Sequence, residues 1–151
     1  MSGYLIRQAS FDDIPAIVRL LCELYSIESM FTPRPDTHSA GLKMALDNPH
    51  LSRLLVVEHT SDVVAFANLQ LMVSTYHGAM TIHIDDFIIT RAHRQNGVGR
   101  ILMNGVFDTA KKLGAPRVSV NIDKANSPAF AFYGKMGFVS MELERYQRLD
   151  F

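Results

Sequence analysis

The sequence holds a single cysteine, Cys22, in 151 residues, so no intrachain disulfide can staple it. No apolar run approaches the about 18 residues of a membrane span, which excludes a spanning helix. The stretch Met1 to Asp13 lacks the continuous apolar segment of a signal peptide, and a reducing, cytoplasmic setting is the expectation. Charge of one sign is missing too. With 15 Lys+Arg against 15 Asp+Glu the formal net charge is +0, leaving no whole-molecule field to attract nucleic acid or an anionic membrane. There is no repeat, low-complexity tract or linker, and the 6 histidines show no His-x-x-x-His spacing, so no metal is expected. What is present is 48% hydrophobic residues dispersed through amphipathic segments. A chain of this length removes roughly 70% of its unfolded surface from water, enough for one domain over residues 1–151 with a core of its own.

Tyr4 to Arg7 reads as a short strand, and Ser10 to Asp13 as a helix start with oxygen side chains for the orphan N–H groups. Ile14, Ile17, Val18, Leu21 and Tyr25 recur at three and four residues and define an amphipathic helix ending in the high twenties. Ser29 to Thr37, with Pro33 and Pro35, is a loop, and Thr37 to Asp47 a second helix stopped by Asn48-Pro49. The period then changes. Leu54 to Glu58, Val63 to Thr75 and Met80 to Thr90 are strands joined by turns at Ser61-Asp62 and His77-Gly78, hence antiparallel neighbours. Val98, Leu102, Val106, Phe107 and Ala110 form a helical stripe closed by Lys111-Lys112-Leu113-Gly114. Arg117 to Asp123 is a further strand, Ser127-Pro128 begins a helix to about Met136, and Phe138 to Met141 and Arg145 to Leu149 are read as closing strands. This order, β-α-α-β-β-β-α-β-α-β-β, predicts one α+β domain with a mixed sheet.

The segment Arg94-Gln95-Asn96-Gly97-Val98-Gly99-Arg100 places a basic, glycine-containing loop between a strand and the first turn of a helix. Gly97 and Gly99 allow close approach of a ligand to the backbone, and the free N–H groups and positive end of the new helix favour an anion there. Arg94 and Arg100 can pair with phosphate oxygens. A Walker loop is excluded because Arg100-Ile101 follows Gly99, and a dinucleotide fingerprint because Leu102 holds the third glycine position. A tight turn without catalytic meaning stays open on this segment alone.

Arg94-Gln95-Asn96-Gly97-Val98-Gly99 resembles, at every specified position, the acyl-CoA loop of the GNAT family of N-acetyltransferases: Arg or Gln, two variable residues, Gly, one variable residue, then Gly or Ala. Asn126-Ser127-Pro128-Ala129-Phe130-Ala131-Phe132-Tyr133-Gly134-Lys135-Met136-Gly137-Phe138 resembles that family's second signature and follows at the proper distance. Arg91 departs from the pattern, standing where the family usually has Pro. The resemblance implies a central, mostly antiparallel mixed sheet of six to seven strands with a splayed parallel pair, flanked by four helices. It implies acetyl-CoA as cosubstrate and acetyl transfer to a primary amine of a small molecule by direct attack in a ternary complex. A protein or peptide N-acetyltransferase and a non-catalytic acyl-CoA sensor are the alternatives. The pyrophosphate is expected on the N–H groups of Gln95 to Gly99, with Arg94 and Arg100 beside it. The pantetheine arm is expected along Phe87, Ile88 and Ile89, on a strand that the family bulges, with Asn126 on its other side.

By the same resemblance Tyr133 is the acid for the departing thiolate; a core tyrosine packed on Phe132 and Phe138 is the other reading. The family's glutamate base on the central strand corresponds here to His83. Alternation puts His83 and Asp85 on one face and Asp86 on the other, so His83 with Asp85 could form a base and its orienter, and Asp86 is a third candidate. Acceptor contacts are expected from Tyr25, Glu28, Phe31, Arg34, Asp36, His38, Tyr76 and His77. A faint likeness to the aminoalkylphosphonate branch of the family would give Arg34, His38 and His77 an anionic group to hold. Similar proteins are often homodimers, and the apolar ending Leu149-Asp150-Phe151 suits a partner or a sheet edge equally.

Overall fold

Period-two alternation over β-branched and aromatic residues becomes four antiparallel neighbours, β1 (Tyr4–Gln8), β2 (Ser52–His59), β3 (Asp62–Ser74) and β4 (Ala79–Ile89). The computed structural model describes residues 3–28, 30–149 and 151, so Ser29 of the expected loop and Asp150 of the C-terminal end lie outside the described residues. The turn between β2 and β3 is made by Thr60 and Ser61, both with positive φ, the backbone twist a two-residue hairpin demands. Helices α1 (Ile14–Ile27) and α2 (Pro35–Asp47) cover one face of the sheet, and α3 (Val98–Leu113) and α4 (Ser127–Lys135) belong to the other. The α1 stripe Ile14, Ile17, Leu20, Leu21 and Leu24 packs with Val56, Phe66 and Ile88, while Val98, Leu102, Val106 and Ala110 of α3 pack with Ala65, Leu69, Ile82 and Ile84. Among the described residues no helix is long and apolar enough to cross a membrane.

The end of the chain departs from expectation. The sheet has five strands in the order β1-β2-β3-β4-β5, not six to seven. The strand expected over Arg117 to Asp123 shrinks to β5 (Val118–Val120), parallel to β4, and Phe138 to Met141 and Arg145 to Leu149 are irregular. Alternating apolar residues make a strand only where a neighbour accepts the backbone hydrogen bonds, and these residues pair with none, leaving Val139, Met141, Leu143, Tyr146 and Leu149 exposed. Met72 is exposed on β3, whereas Met103 is fully buried.

One ion-pair knot ties β1 to the start of α1. The Arg7 guanidinium donates to both carboxylate oxygens of Asp13 at 2.8 and 2.9 Å and to Glu58 at 2.9 and 3.0 Å, and Asp13 also accepts from the Ser10 N–H at 2.7 Å. The Arg7 hydrogen bonds hold the Asp13 carboxyl at about 2, below its ordinary 3.8. Because the folded state binds the proton less tightly, this stabilisation is complete above the ordinary carboxylate range and is lost as pH falls toward 2. Asp13→Asn should therefore cost about 1–3 kcal/mol in urea unfolding at neutral pH. The gap to the native sequence should narrow as pH is lowered from about 4 toward 2.

Candidate active site

The site begins with a slip in strand pairing. Leu69 faces Ile84 and Asn68 faces Asp86, so Asp85 is the extra residue of a bulge in β4. The bulge inverts which residues face which helices. Before it, Ile82 and Ile84 pack in the α3 cluster; after it, Phe87 and Ile89 do, while Ile88 joins the α1 cluster. Strict alternation across Asp85 therefore fails: Asp86 lies on the face that His83 occupies, and Asp85 is exposed between them.

The bulge lies where β4 and β5 part. Their pairing ends at Ile84 and Val120, yet β4 continues to Ile89, so its outer edge runs on unpaired. A cleft of about 480 Å³ fills the gap, lined by Phe87, Ile88 and Ile89 of β4, by Asn126, Phe132 and Tyr133 of α4 and its cap, and by Glu28, Asp85 and Arg94. Asn126 caps α4, its side-chain oxygen accepting from the Ala129 N–H at 3.2 Å. Tyr133 is 7% exposed, packed against Phe87, Phe132 and Phe138, and nothing among the described residues hydrogen-bonds its hydroxyl. No fully buried side-chain polar atom lacks a partner among the described residues, so that hydroxyl reaches the cleft. Burial, then the Glu28 charge, pushes the phenol above its usual range and keeps it protonated.

Glu28 caps the end of α1, its N–H donating to the Leu24 carbonyl at 3.1 Å, and it lines the same cleft. Burial and the charges of Asp86, Asp123 and Asp85 push it up to about 6. That value places a carboxylate near the pH at which a proton acceptor works well. His83 lines neither this cleft nor the second cavity described below. Its Nδ1 lies 3.0 Å from Ser119 Oγ across the β4–β5 pair, and burial lowers its pKa.

At the Arg94 end of the cleft the chain makes the turn that opens α3. Gln95 (φ 64°) and Gly97 (φ 78°) are left-handed, and the first amides of α3 that follow have no carbonyl partner four residues back within the helix. A Cβ on Gly99 would lie 3.1 Å from the Phe132 ring, so glycine lets α3 and α4 approach at the cleft's end. Arg94 is already engaged. It donates to the Ile89 carbonyl at 2.9 Å and to Glu23 at 2.8 Å, and Glu23 also accepts from the Thr90 hydroxyl and the Arg91 N–H. Glu23 thus fixes the loop from α1, a role without local signal in the sequence because the partner residues lie 67 to 71 positions away. Gln95 to Arg100 follow Arg94 in the chain and do not line the cleft.

A second cavity of about 390 Å³ lies under α1 and α2, sharing Asp85 with the first. Its polar side is a chain of hydrogen bonds. Ser52 donates to Gln70 at 3.5 Å, Gln70 to Asn68 at 3.1 Å, and Asn68 to Asp86 at 3.1 Å; the Tyr25 hydroxyl donates to the other Asp86 oxygen at 2.5 Å. Of the expected acceptor residues, Tyr25 and His38 line this cavity with their rings 4.9 Å apart, Phe31 packs 5.4 Å from Tyr25, and Glu28 lines the cleft. Arg34, Tyr76 and His77 line neither: the Arg34 N–H donates to His38 Nε2 at 2.8 Å, and Tyr76 and His77 pack on each other at the β3–β4 turn. The anion-holding trio Arg34, His38 and His77 is therefore not assembled.

Comparison with known proteins places the fold and the family. Streptothricin acetyltransferase of Streptomyces lavendulae is 34% identical over 61 residues, 40% of this chain and 32% of its own. The L-ornithine N5-acetyltransferase of Arabidopsis thaliana is 30% identical over 110 residues, 71% of this chain and 46% of its own. The matches thus span about a third to a half of these relatives' length. The solved structure of a possible acetyltransferase from Clostridium difficile 630 has the same fold, with a TM-score of 0.87 over 98% of both chains at 19% identity. The pattern defining the acetyltransferase (GNAT) family matches residues 15–138, from the first turn of α1 to the residue after the Gly137 turn, and the chain belongs to that family.

Proposed function

We propose that this protein transfers the acetyl group of acetyl-CoA to a primary amine of a small molecule. The observation that carries the reading is the cleft between the parted strands, whose lining includes Tyr133, Glu28 and Asp85, with Arg94 of the glycine turn. The residues fit the cosubstrate. Gln95 to Gly99 offer amides and a helix N-terminus to a pyrophosphate, with Arg100 beside them, and the unpaired edge of Phe87 to Ile89 offers backbone groups to an amide-bearing arm. The relatives' names, acting on streptothricin and ornithine, support a small amine as acceptor.

Bound acetyl-CoA supplies the thioester, whose C–S bond breaks as the acceptor nitrogen forms its N–C bond. Glu28 removes a proton from the acceptor ammonium, and Asp85 holds that cation at the bulge. Tyr133 gives its proton to the departing sulfur, and the proton taken up by Glu28 returns to Tyr133 through solvent. His83, engaged with Ser119 outside both cavities, has no step to perform.

The test is amine-dependent thiol release from acetyl-CoA over a panel of small amines and peptides. Glu28 is active as the carboxylate, so kcat/KM should rise with pH and level off above about 6. Glu28→Gln should abolish that limb and lower the plateau by about 10²-fold, whereas His83→Ala should leave the limb in place. Release confined to peptide N-termini would favour the peptide reading, and acetyl-CoA binding without release under any acceptor would favour a sensor.

A further inference from the structure

The cavity under α1 and α2 has a charge imbalance that the transfer chemistry does not require. Asp86 is 6% exposed at its polar side, and Asp85 lines both this cavity and the cleft. Among the described residues no Lys or Arg lines the cavity, and His38 is its only other titratable side chain besides Tyr25. The Asp86 carboxylate has two neutral donors, Tyr25 and Asn68, and among the described residues no cation pairs with it. Burial pushes the Asp86 carboxyl up from its ordinary range, and a cation bound beside it would favour the ionised form. The opposite side is apolar, built from Leu21, Leu42 and Ala45. A buried acid beside an aliphatic wall suits a protonated nitrogen carried on a short methylene chain.

Resting on the acetyl-transfer reading, we infer that the acceptor is a diamine or an equivalent dication. One nitrogen reacts at the Asp85 bulge and the second is held by Asp86 inside the α1–α2 cavity. Spacing between the nitrogens is the selective feature, because the reacting amine and Asp86 sit on opposite sides of a single bulged residue. An acceptor bearing phosphonate or carboxylate at the far end meets two carboxylates and no cation, and is disfavoured.

The experiment compares thiol release for α,ω-diaminoalkanes of increasing length, for monoalkylamines of matched length, and for 2-aminoethylphosphonate. The diamines should exceed their monoamine counterparts in kcat/KM on the order of 10–100-fold, with an optimum at one length. Asp86→Asn should bring the diamine-to-monoamine ratio close to one. Met44→Lys places a cation at the rim of the cavity on a residue already 68% exposed, and should reduce the same ratio without disturbing the fold. A second readout is independent of chemistry: the best diamine should raise the melting temperature without acetyl-CoA, and this shift should vanish in Met44→Lys and Asp86→Asn. Equal rates for mono- and diamines, or a ratio unchanged in both variants, overturns the inference while leaving acetyl transfer intact. No thiol release with any amine, together with diamine stabilisation that is lost in both variants, overturns the transfer reading and keeps the dication site. Absence of both signals overturns both.

Discussion

Tyr133→Phe is expected to slow amine-dependent thiol release by about 10²-fold or more at every pH between 6 and 9. Removing one oxygen leaves the ring contacts with Phe87, Phe132 and Phe138 in place, and the lost hydroxyl makes no hydrogen bond to the rest of the described chain. The melting temperature and its rise on adding acetyl-CoA should therefore stay close to those of the native protein. This combination separates a proton donor from a tyrosine that merely packs, since a packing role loses little when the ring is kept. Burial and the neighbouring Glu28 raise the phenol above its ordinary 10, so the native profile should show no falling limb from Tyr133 below that value. A Phe variant within threefold of the native rate would remove Tyr133 from the chemistry.

Gly97→Asp is expected to weaken acetyl-CoA binding by about 10²-fold or more while the apo protein stays folded. Two effects add. At φ 78° a side chain costs about 1 kcal/mol, and a carboxylate at the head of α3 repels the phosphates that the turn is proposed to hold. Aspartate is at the same time a favoured helix cap, which offsets part of the strain in the apo state. Gly97→Asn keeps the shape and removes the charge; asparagine also tolerates the left-handed region. It should recover most of the binding, so the pair isolates the electrostatic part. Calorimetric titration with acetyl-CoA reads both variants, and undiminished affinity in Gly97→Asp would place the phosphates elsewhere.

The turn and the α4 signature were readable because their information is local. Gly97, Gly99, Asn126 and Ser127-Pro128 are demanded by backbone conformation and capping at the positions they occupy. The α1 and α3 stripes were readable for a similar reason, since burial on one face repeats every three or four residues. The closing strands were not, because Phe138 to Leu149 carries an alternating pattern but a strand also requires a partner edge, and β5 pairs for only three residues. The reading of His83 as a base rests on its place along β4, and a place along a strand does not register a bulge. The extra residue at Asp85 depends on how β3 and β4 pair and shifts every later side chain to the other face.

What the sequence by itself determined is the order of the elements as far as α4, the family and the glycine turn at the head of a helix, because each rests on residues close together in the chain. The tertiary structure alone decided which side chains meet. Glu28 reaches Tyr133 only because α1 ends over the gap between β4 and β5, and Glu23 holds Arg94 across 71 residues. Asp86 lies buried beside Tyr25 in a cavity without a cation, because burial and the charge of neighbours are properties of packed surfaces and have no period that a sequence can display.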